Sequence, residues 1–160
     1  MTTNLWINNI MKDVDQFMGV YSRNNIKPPT SYPSYTIVNF SPLHSPGTHL
    51  ASIIFINKST CVYFDPLNLP FIPSEIQEYM YKNSNYIHII KYPIQNPLSG
   101  FCGFYCLLVI LFHINKVPLY YGIYSFPRQS IHNDDKCVRT IIKLLKIYYL
   151  ERELNSVVIP

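Results

Sequence analysis

The stretch "GTHLASIIFINKSTCVYFDPLN", residues 47–68, decides how this chain is read. Within it, "THLASIIFIN" (48–57) and "TCVYFD" (60–65) are rich in β-branched and aromatic residues and are joined across the short polar link "NKS". Side chains of that shape pack well on a pleated surface, and so short a join predicts an antiparallel hairpin. A hairpin returns the end of its second strand to the start of its first. His49 opens one run and Asp65 closes the other, so the pairing makes an imidazole and a carboxylate neighbours. Each has a plain structural alternative: a histidine satisfied at the edge of a core, and an aspartate that starts a turn before proline.

Working outward, "YTIVNF" (35–40) and "YIHIIKY" (86–92) read as two further strands, and the proline-rich "KPPTSYPSY" (27–35) as irregular chain. A first helix is expected over Leu5 to Met18. A short one is expected after Pro73 in "PSEIQEYM", with Ser74 and Gln77 spaced as a capping box. The segment from Cys102 to Ile114 is apolar on every face, as in a helix enclosed by protein. "DDKCVRTIIKLLKIYYLEREL" (134–154) is amphipathic. Val138, Ile141, Ile142, Leu145 and Tyr149 form its apolar stripe, and Asp134 and Asp135 lie at the dipole-favoured start. The order helix, three strands, helix, strand, buried helix, surface helix predicts an α+β domain on a mostly antiparallel central sheet.

The totals bound the rest. A chain of 160 residues suits one domain over 1–160 with a core of its own. With 48% apolar and 15% aromatic residues it is no disordered chain. The start "MTTNLWINNIMKDVD" lacks the basic and apolar runs of a signal peptide. The longest apolar run, Phe101 to Phe112, is about half of what a bilayer requires, so no membrane association is expected. Cys61, Cys102, Cys106 and Cys137 include no CxxC pair, which argues against a zinc knuckle and predicts no metal. Reduced thiols and an intracellular location are expected. The net charge of +4 permits an acidic partner without demanding one.

Cys102 stands at the head of the buried helix, in "QNPLSGFCGFYC" (95–106). A thiol in a first helical turn faces unpaired N–H groups and the positive end of the dipole, both of which favour thiolate. Gly100 and Gly103 keep side chains out of its way. The other reading is a buried, inert cysteine, which is the reading given to Cys106 one turn later. A nucleophilic thiolate needs a base. His49 leads the five histidines, because a strand there leaves a loop at the edge of the core, and Asp65 would fix its tautomer. Gln95 offers a side-chain amide which, beside the Cys102 N–H, forms an oxyanion hole. Without its neighbours it would read as a surface glutamine.

In this order His49, Asp65, Gln95 and Cys102 resemble the adenovirus-type maturation proteases, which share a clan with the ubiquitin-like-modifier proteases. The six-residue interval between glutamine and cysteine, the serine inside it and the "CGxxC" ending match the viral branch. "FMGVYSRNNIKPP" (17–29) is similar to a further segment of that family, and the likeness extends over about residues 8 to 150. Leu50 departs from it, standing where most relatives have tryptophan after the base, and the acid is Asp as in the cellular branch. The resemblance implies an adenain-like fold with papain-like active-site geometry and the nucleophile at the N-terminus of a buried helix. It also implies a thiol endopeptidase cleaving viral capsid and core precursors at glycine-containing sites during virion maturation. The location would be a virus factory or host nucleus and then the virion, the source a DNA virus, virophage or virus-like transposon.

The chain is expected to be a monomer without a cofactor. Activation by a noncovalent peptide, by DNA or by nothing stays open, since no cysteine between Cys61 and Cys102 offers a covalent tether. Nonspecific DNA would meet Lys136, Arg139, Lys143 and Lys146, helped by Arg152, although a solvated helix face explains the same stripe. Two other functions compete: a deconjugating isopeptidase acting on ubiquitin-like modifiers, and an inactive protease fold kept as a DNA- or capsid-binding scaffold.

Overall fold

A computed structural model of the chain describes residues 4–156. The elements are α1 (Asn4–Met11), β1 (Phe17–Ser22), β2 (Ser34–Asn39), β3 (Leu50–Phe55), β4 (Thr60–Phe64), α2 (Ser74–Asn83), β5 (Tyr86–Ile90), α3 (Cys102–Ile114), α4 (Leu119–Tyr124) and α5 (Asn133–Ser156). The class is α+β. Five strands form one sheet in the order β1-β2-β3-β4-β5. The expectation of a mostly antiparallel sheet is corrected: β2–β3 and β3–β4 are antiparallel, but β1–β2 and β4–β5 are parallel, so the sheet is mixed. The parallel β4–β5 pair follows from α2, because a helical crossover returns the chain in its original direction.

The expected hairpin forms between β3 and β4, with Ser52 opposite Phe64 and Phe55 opposite Cys61. Asn57 closes it, its Oδ1 accepting from the N–H groups of Ser59 (2.8 Å) and Thr60 (2.9 Å). Alternate strand residues feed two cores, one on each face. Ile37, Leu50, Ile54, Val62 and Phe64 meet α1, α3 and α5; Val38, Ala51, Ile53, Phe55 and Tyr63 meet α2 and the chain around Ile26 and Tyr32. The middle strands β2 and β3 are therefore buried on both sides.

α3 has the bounds expected of it and buries Gly103 and every residue from Tyr105 to Phe112. At about 1.5–3 kcal/mol for each large apolar side chain enclosed, this burial fixes the helix against the sheet. Ser52 Oγ adds a hydrogen bond to the Cys106 carbonyl at 3.0 Å.

Three further expectations are corrected. The first helix stops at Met11 rather than Met18: the Val14 N–H turns back to the Met11 carbonyl, Gln16 adopts φ 71°, and the following residues pair with β2. That strand carries a bulge before Gly19, whose φ of 128° suits glycine. The capping box is absent, because Pro73 is the N-cap of α2 and Gln77 Nε2 donates instead to the Ile72 carbonyl (2.6 Å). On α5 the buried stripe is Cys137, Ile141 and Leu144, while Ile142 and Tyr149 face outward. α4, not expected from sequence, packs Gly122 so closely on Phe112 that a Cβ there would lie 2.6 Å from the ring. Among the described residues no helix is long and apolar enough to cross a membrane.

Candidate active site

His49 is the residue before β3 and Asp65 the residue after β4, so the antiparallel register puts them side by side. His49 Nε2 lies 2.6 Å from Asp65 Oδ1, and both residues are buried. Asp65 is fixed by more than the histidine. Its Oδ1 accepts the Leu67 N–H (2.9 Å) and its Oδ2 the Leu69 N–H (3.0 Å), an Asx-type turn after the strand. This aspartate thus both forms the turn and bonds to the imidazole.

Cys102 stands beside the same imidazole, close enough to raise its proton affinity, and shares a groove with it. With Nε2 held by Asp65, Nδ1 is the nitrogen left for sulfur. The register of α3 on β3 explains the meeting: Ser52 grips the carbonyl of Cys106, one turn after Cys102, and His49 lies three residues back along the strand. Cys102 is half-buried, at the first position of α3, and no side chain caps that helix end. The other three cysteines are buried free thiols, and burial pushes Cys61 up to about 12.

Burial is the largest single influence on His49 and works against its charge. The hydrogen bond and negative charge of Asp65, with the neighbouring Cys102, outweigh it and raise the imidazole from 6.5 to about 9. Phe40 packs edge-on against the ring, centroids 4.9 Å apart and planes at 87°, and its N–H donates to the His49 carbonyl at 2.9 Å. This phenylalanine supplies the aromatic support that Leu50 does not, and sequence reading missed it. The only signal was its place at the end of "YTIVNF", a strand that turns out to lie beside β3.

The loop that delivers His49 is pinned by Asn39, whose Oδ1 accepts the N–H groups of Ser41 (2.9 Å) and Thr48 (3.4 Å). Gly47 allows this fit, because a Cβ there would lie 2.6 Å from Asn39 Nδ2.

Gln95 reaches the same place by a different route. After β5 the N–H groups of Ile94 and Gln95 both donate to the Pro66 carbonyl at 3.0 Å, tying this loop to the turn that holds Asp65. The Gln95 side chain is buried, with Nε2 donating to the Ser99 carbonyl at 2.7 Å. Reversing the amide would set its oxygen against that carbonyl, so its orientation is fixed. One N–H remains for another acceptor, and Oε1 is buried without a partner. Leaving such an acceptor unpaired costs about 1–3 kcal/mol, an expense that native structures tolerate at sites of function.

His49, Gln95 and Cys102 line one groove of about 640 Å³ with Asn39, Thr48, Leu67, Pro97 and Gly100. A Cβ on Gly100 would meet nothing within 4 Å, so the groove is open on that side. A larger hollow of about 720 Å³ lies between β5 and the α3–α4 turn, lined mostly by apolar residues, and holds none of the four candidates. The remaining histidines stand apart: His88 bonds to the Tyr120 hydroxyl, His113 to the Tyr35 hydroxyl at 2.7 Å, and His44 and His132 are exposed.

Of the basic stripe on α5, two residues already have partners. The Lys136 ammonium bonds to the Ser125 carbonyl and sits 4.3 Å over the Phe126 ring, and Arg139 pairs with Asp135 at 3.2 Å. Lys143 and Lys146 are exposed. Arg152 reaches the Tyr148 hydroxyl and the Asp13 carbonyl. Among the described residues no group of three or more His, Cys, Asp or Glu could hold a metal ion. No protein-family model matches the chain, and no curated protein is significantly similar to it.

Proposed function

We propose that this chain is a cysteine endopeptidase of the adenovirus-type maturation class, processing viral structural precursors next to small residues. The observation that carries the reading is one imidazole, that of His49, bonded at Nε2 to buried Asp65 and standing beside Cys102 in one groove. An inert cysteine needs neither that partner nor that opening.

In the proposed reaction Cys102 and His49 share one proton, held on the imidazole, whose affinity for it is raised, so the nucleophile is a thiolate beside an imidazolium. Asp65 holds the ring in place and balances its charge. The sulfur attacks the scissile carbonyl, forming the C–S bond. The oxygen, now negative, is met by the remaining Gln95 amide N–H and by the Cys102 N–H, which as a first-turn donor has no acceptor within the helix. His49 gives its proton to the departing amine as the C–N bond breaks. Water then loses a proton to His49, adds to the thioester and releases the acid, restoring the thiol.

The test is turnover of an internally quenched peptide containing Gly-Gly-Xaa. Wild-type protein cleaves it at a single bond, whereas Cys102→Ser and His49→Ala do not. A fusion of a ubiquitin-like protein to a reporter should stay intact. Cleavage of the fusion but not of the peptide would replace the maturation reading with deconjugation. Cleavage that survives both substitutions would reject the site.

A further inference from the structure

The eight residues from Ile94 to Phe101 carry Gln95 near one end and hand over to Cys102 at the other, and they form neither helix nor strand. Irregular chain of this kind is ordinarily the mobile part of a site, yet oxyanion donors act only when held in place. Two consecutive residues at the start of α5 grip this loop. Asn133 Nδ2 donates to the Ile94 carbonyl at 2.8 Å, immediately before Gln95. Asp134 Oδ1 accepts from Ser99 Oγ at 2.9 Å and from the Tyr105 hydroxyl at 2.7 Å.

Both partners of Asp134 bear on the oxyanion donors. Ser99 Oγ accepts the Phe101 N–H at 3.1 Å, and the Ser99 carbonyl is the acceptor that orients the Gln95 amide. Tyr105 lies three positions after Cys102 on α3, so its hydroxyl reports where the first turn of that helix stands. A single carboxylate oxygen therefore joins the segment holding one donor to the helix holding the other. Burial of Tyr105 and its bond to Asp134 both raise its proton affinity, so the phenol stays a donor. A charged acceptor makes these bonds about twice as strong as a neutral one would.

We propose that Asp134 is a positioning residue for the oxyanion hole, setting the distance between the Gln95 amide and the Cys102 N–H. The proposal rests on the protease reading above and deepens it. Its consequence is selective: Asp134 touches neither His49 nor the sulfur through any of these bonds, so it governs the fate of the oxyanion and not the reactivity of the thiol.

The experiment compares two rates in the full-length chain. One is turnover of the quenched Gly-Gly-Xaa peptide, which needs the hole. The other is alkylation of Cys102 by iodoacetamide near neutral pH, which forms no oxyanion. Asp134→Ala should lower kcat on the order of 10–100-fold with KM within about twofold. Alkylation should stay within about twofold. Asp134→Asn, which keeps an acceptor oxygen, should recover most of the turnover, and the exposed neighbour Asp135→Asn should behave as wild type. In a Gln95→Ala background, Asp134→Ala should cost little more, since the donor it places is gone.

Turnover undiminished in Asp134→Ala, additivity with Gln95→Ala, or equal loss of both rates in the Ala and Asn variants would each overturn the proposal. The last would assign Asp134 to folding alone. A wild-type chain with neither turnover nor His49-dependent alkylation would instead sink the protease reading, and this proposal with it.

Discussion

Replacing Asp65 by Asn tests the electrostatics of the site by a route independent of any substrate. The folded imidazole of His49 keeps its proton up to about pH 9, against 6.5 for the ordinary ring. At about 1.4 kcal/mol per pH unit the difference corresponds to about 3 kcal/mol of folding free energy linked to this one proton. Its sign follows from the direction of the rise. Below 6.5 the ring is protonated in both folded and unfolded chains, and the contribution is present in full. As pH rises toward 9 the folded state holds a proton that the unfolded state has released, and the contribution is lost. The Asp65→Asn substitution takes away the charge and the carboxylate's hydrogen bond while burial remains, so the ring should titrate about 1–3 pH units lower. The amide cannot satisfy both the Leu67 and Leu69 N–H groups, which costs stability at every pH and cancels from the slope. Urea unfolding at about pH 6 and about pH 9.5, for wild type and Asp65→Asn, isolates the linked part. Wild type should lose about 1–4 kcal/mol more than the variant across that interval, the spread following the ring's fall of about 1–3 pH units, and NMR of the His49 Cε1–H should show the shifted midpoint. Equal slopes, or a wild-type ring titrating at or below 6.5, would show that Asp65 does not hold the proton on His49.

Other substitutions address single parts of the site. Gln95→Ala should reduce peptide turnover on the order of 10²–10³-fold while leaving Cys102 alkylation unchanged; loss of both rates would mean that Gln95 holds the fold rather than the oxyanion. Gly47→Ala should destabilise the protein by about 1–3 kcal/mol in urea unfolding, because its Cβ meets Asn39 Nδ2 at 2.6 Å in the loop that delivers His49. A solvated face on α5 predicts no binding of duplex DNA, whereas contact through Lys143 and Lys146, which have no partner among the described residues, predicts a log K against log salt slope of about −2. Lys143→Glu with Lys146→Glu should abolish that binding, whereas a slope of about −4 would mean that Lys136 and Arg139 exchange their internal partners for phosphate.

Much of the site was legible because it rests on local pattern. Strand period and a polar join located the hairpin, and a hairpin has only one way to set its two ends together, so His49 and Asp65 followed. α3 was legible because nothing but an enclosed helix suits so long an apolar run. The pairing partners of β1 were not, since "FMGVYS" continues a helical-looking stretch and becomes a strand only by lying along β2. α5 misled for a related reason: apolar residues occur on more than one of its faces, and only packing on α3 decides that Cys137 and Leu144 go inward while Ile142 stays out. Phe40 and Asp134 gave no signal in sequence because their contacts, with His49 and with Ser99 and Tyr105, exist only once separate segments pack together.

Cys102 differs from the three other thiols by what surrounds it: they are buried, and it lines the groove with His49. Limiting treatment of the native protein with an electrophilic peptide at about pH 6–7, read by mass spectrometry of all four cysteines, measures that difference directly. Modification confined to Cys102 in wild type, and lost in His49→Ala, is the predicted result. Equal labelling with and without the imidazole, or a folded protein in which Cys102 is left untouched, would contradict it.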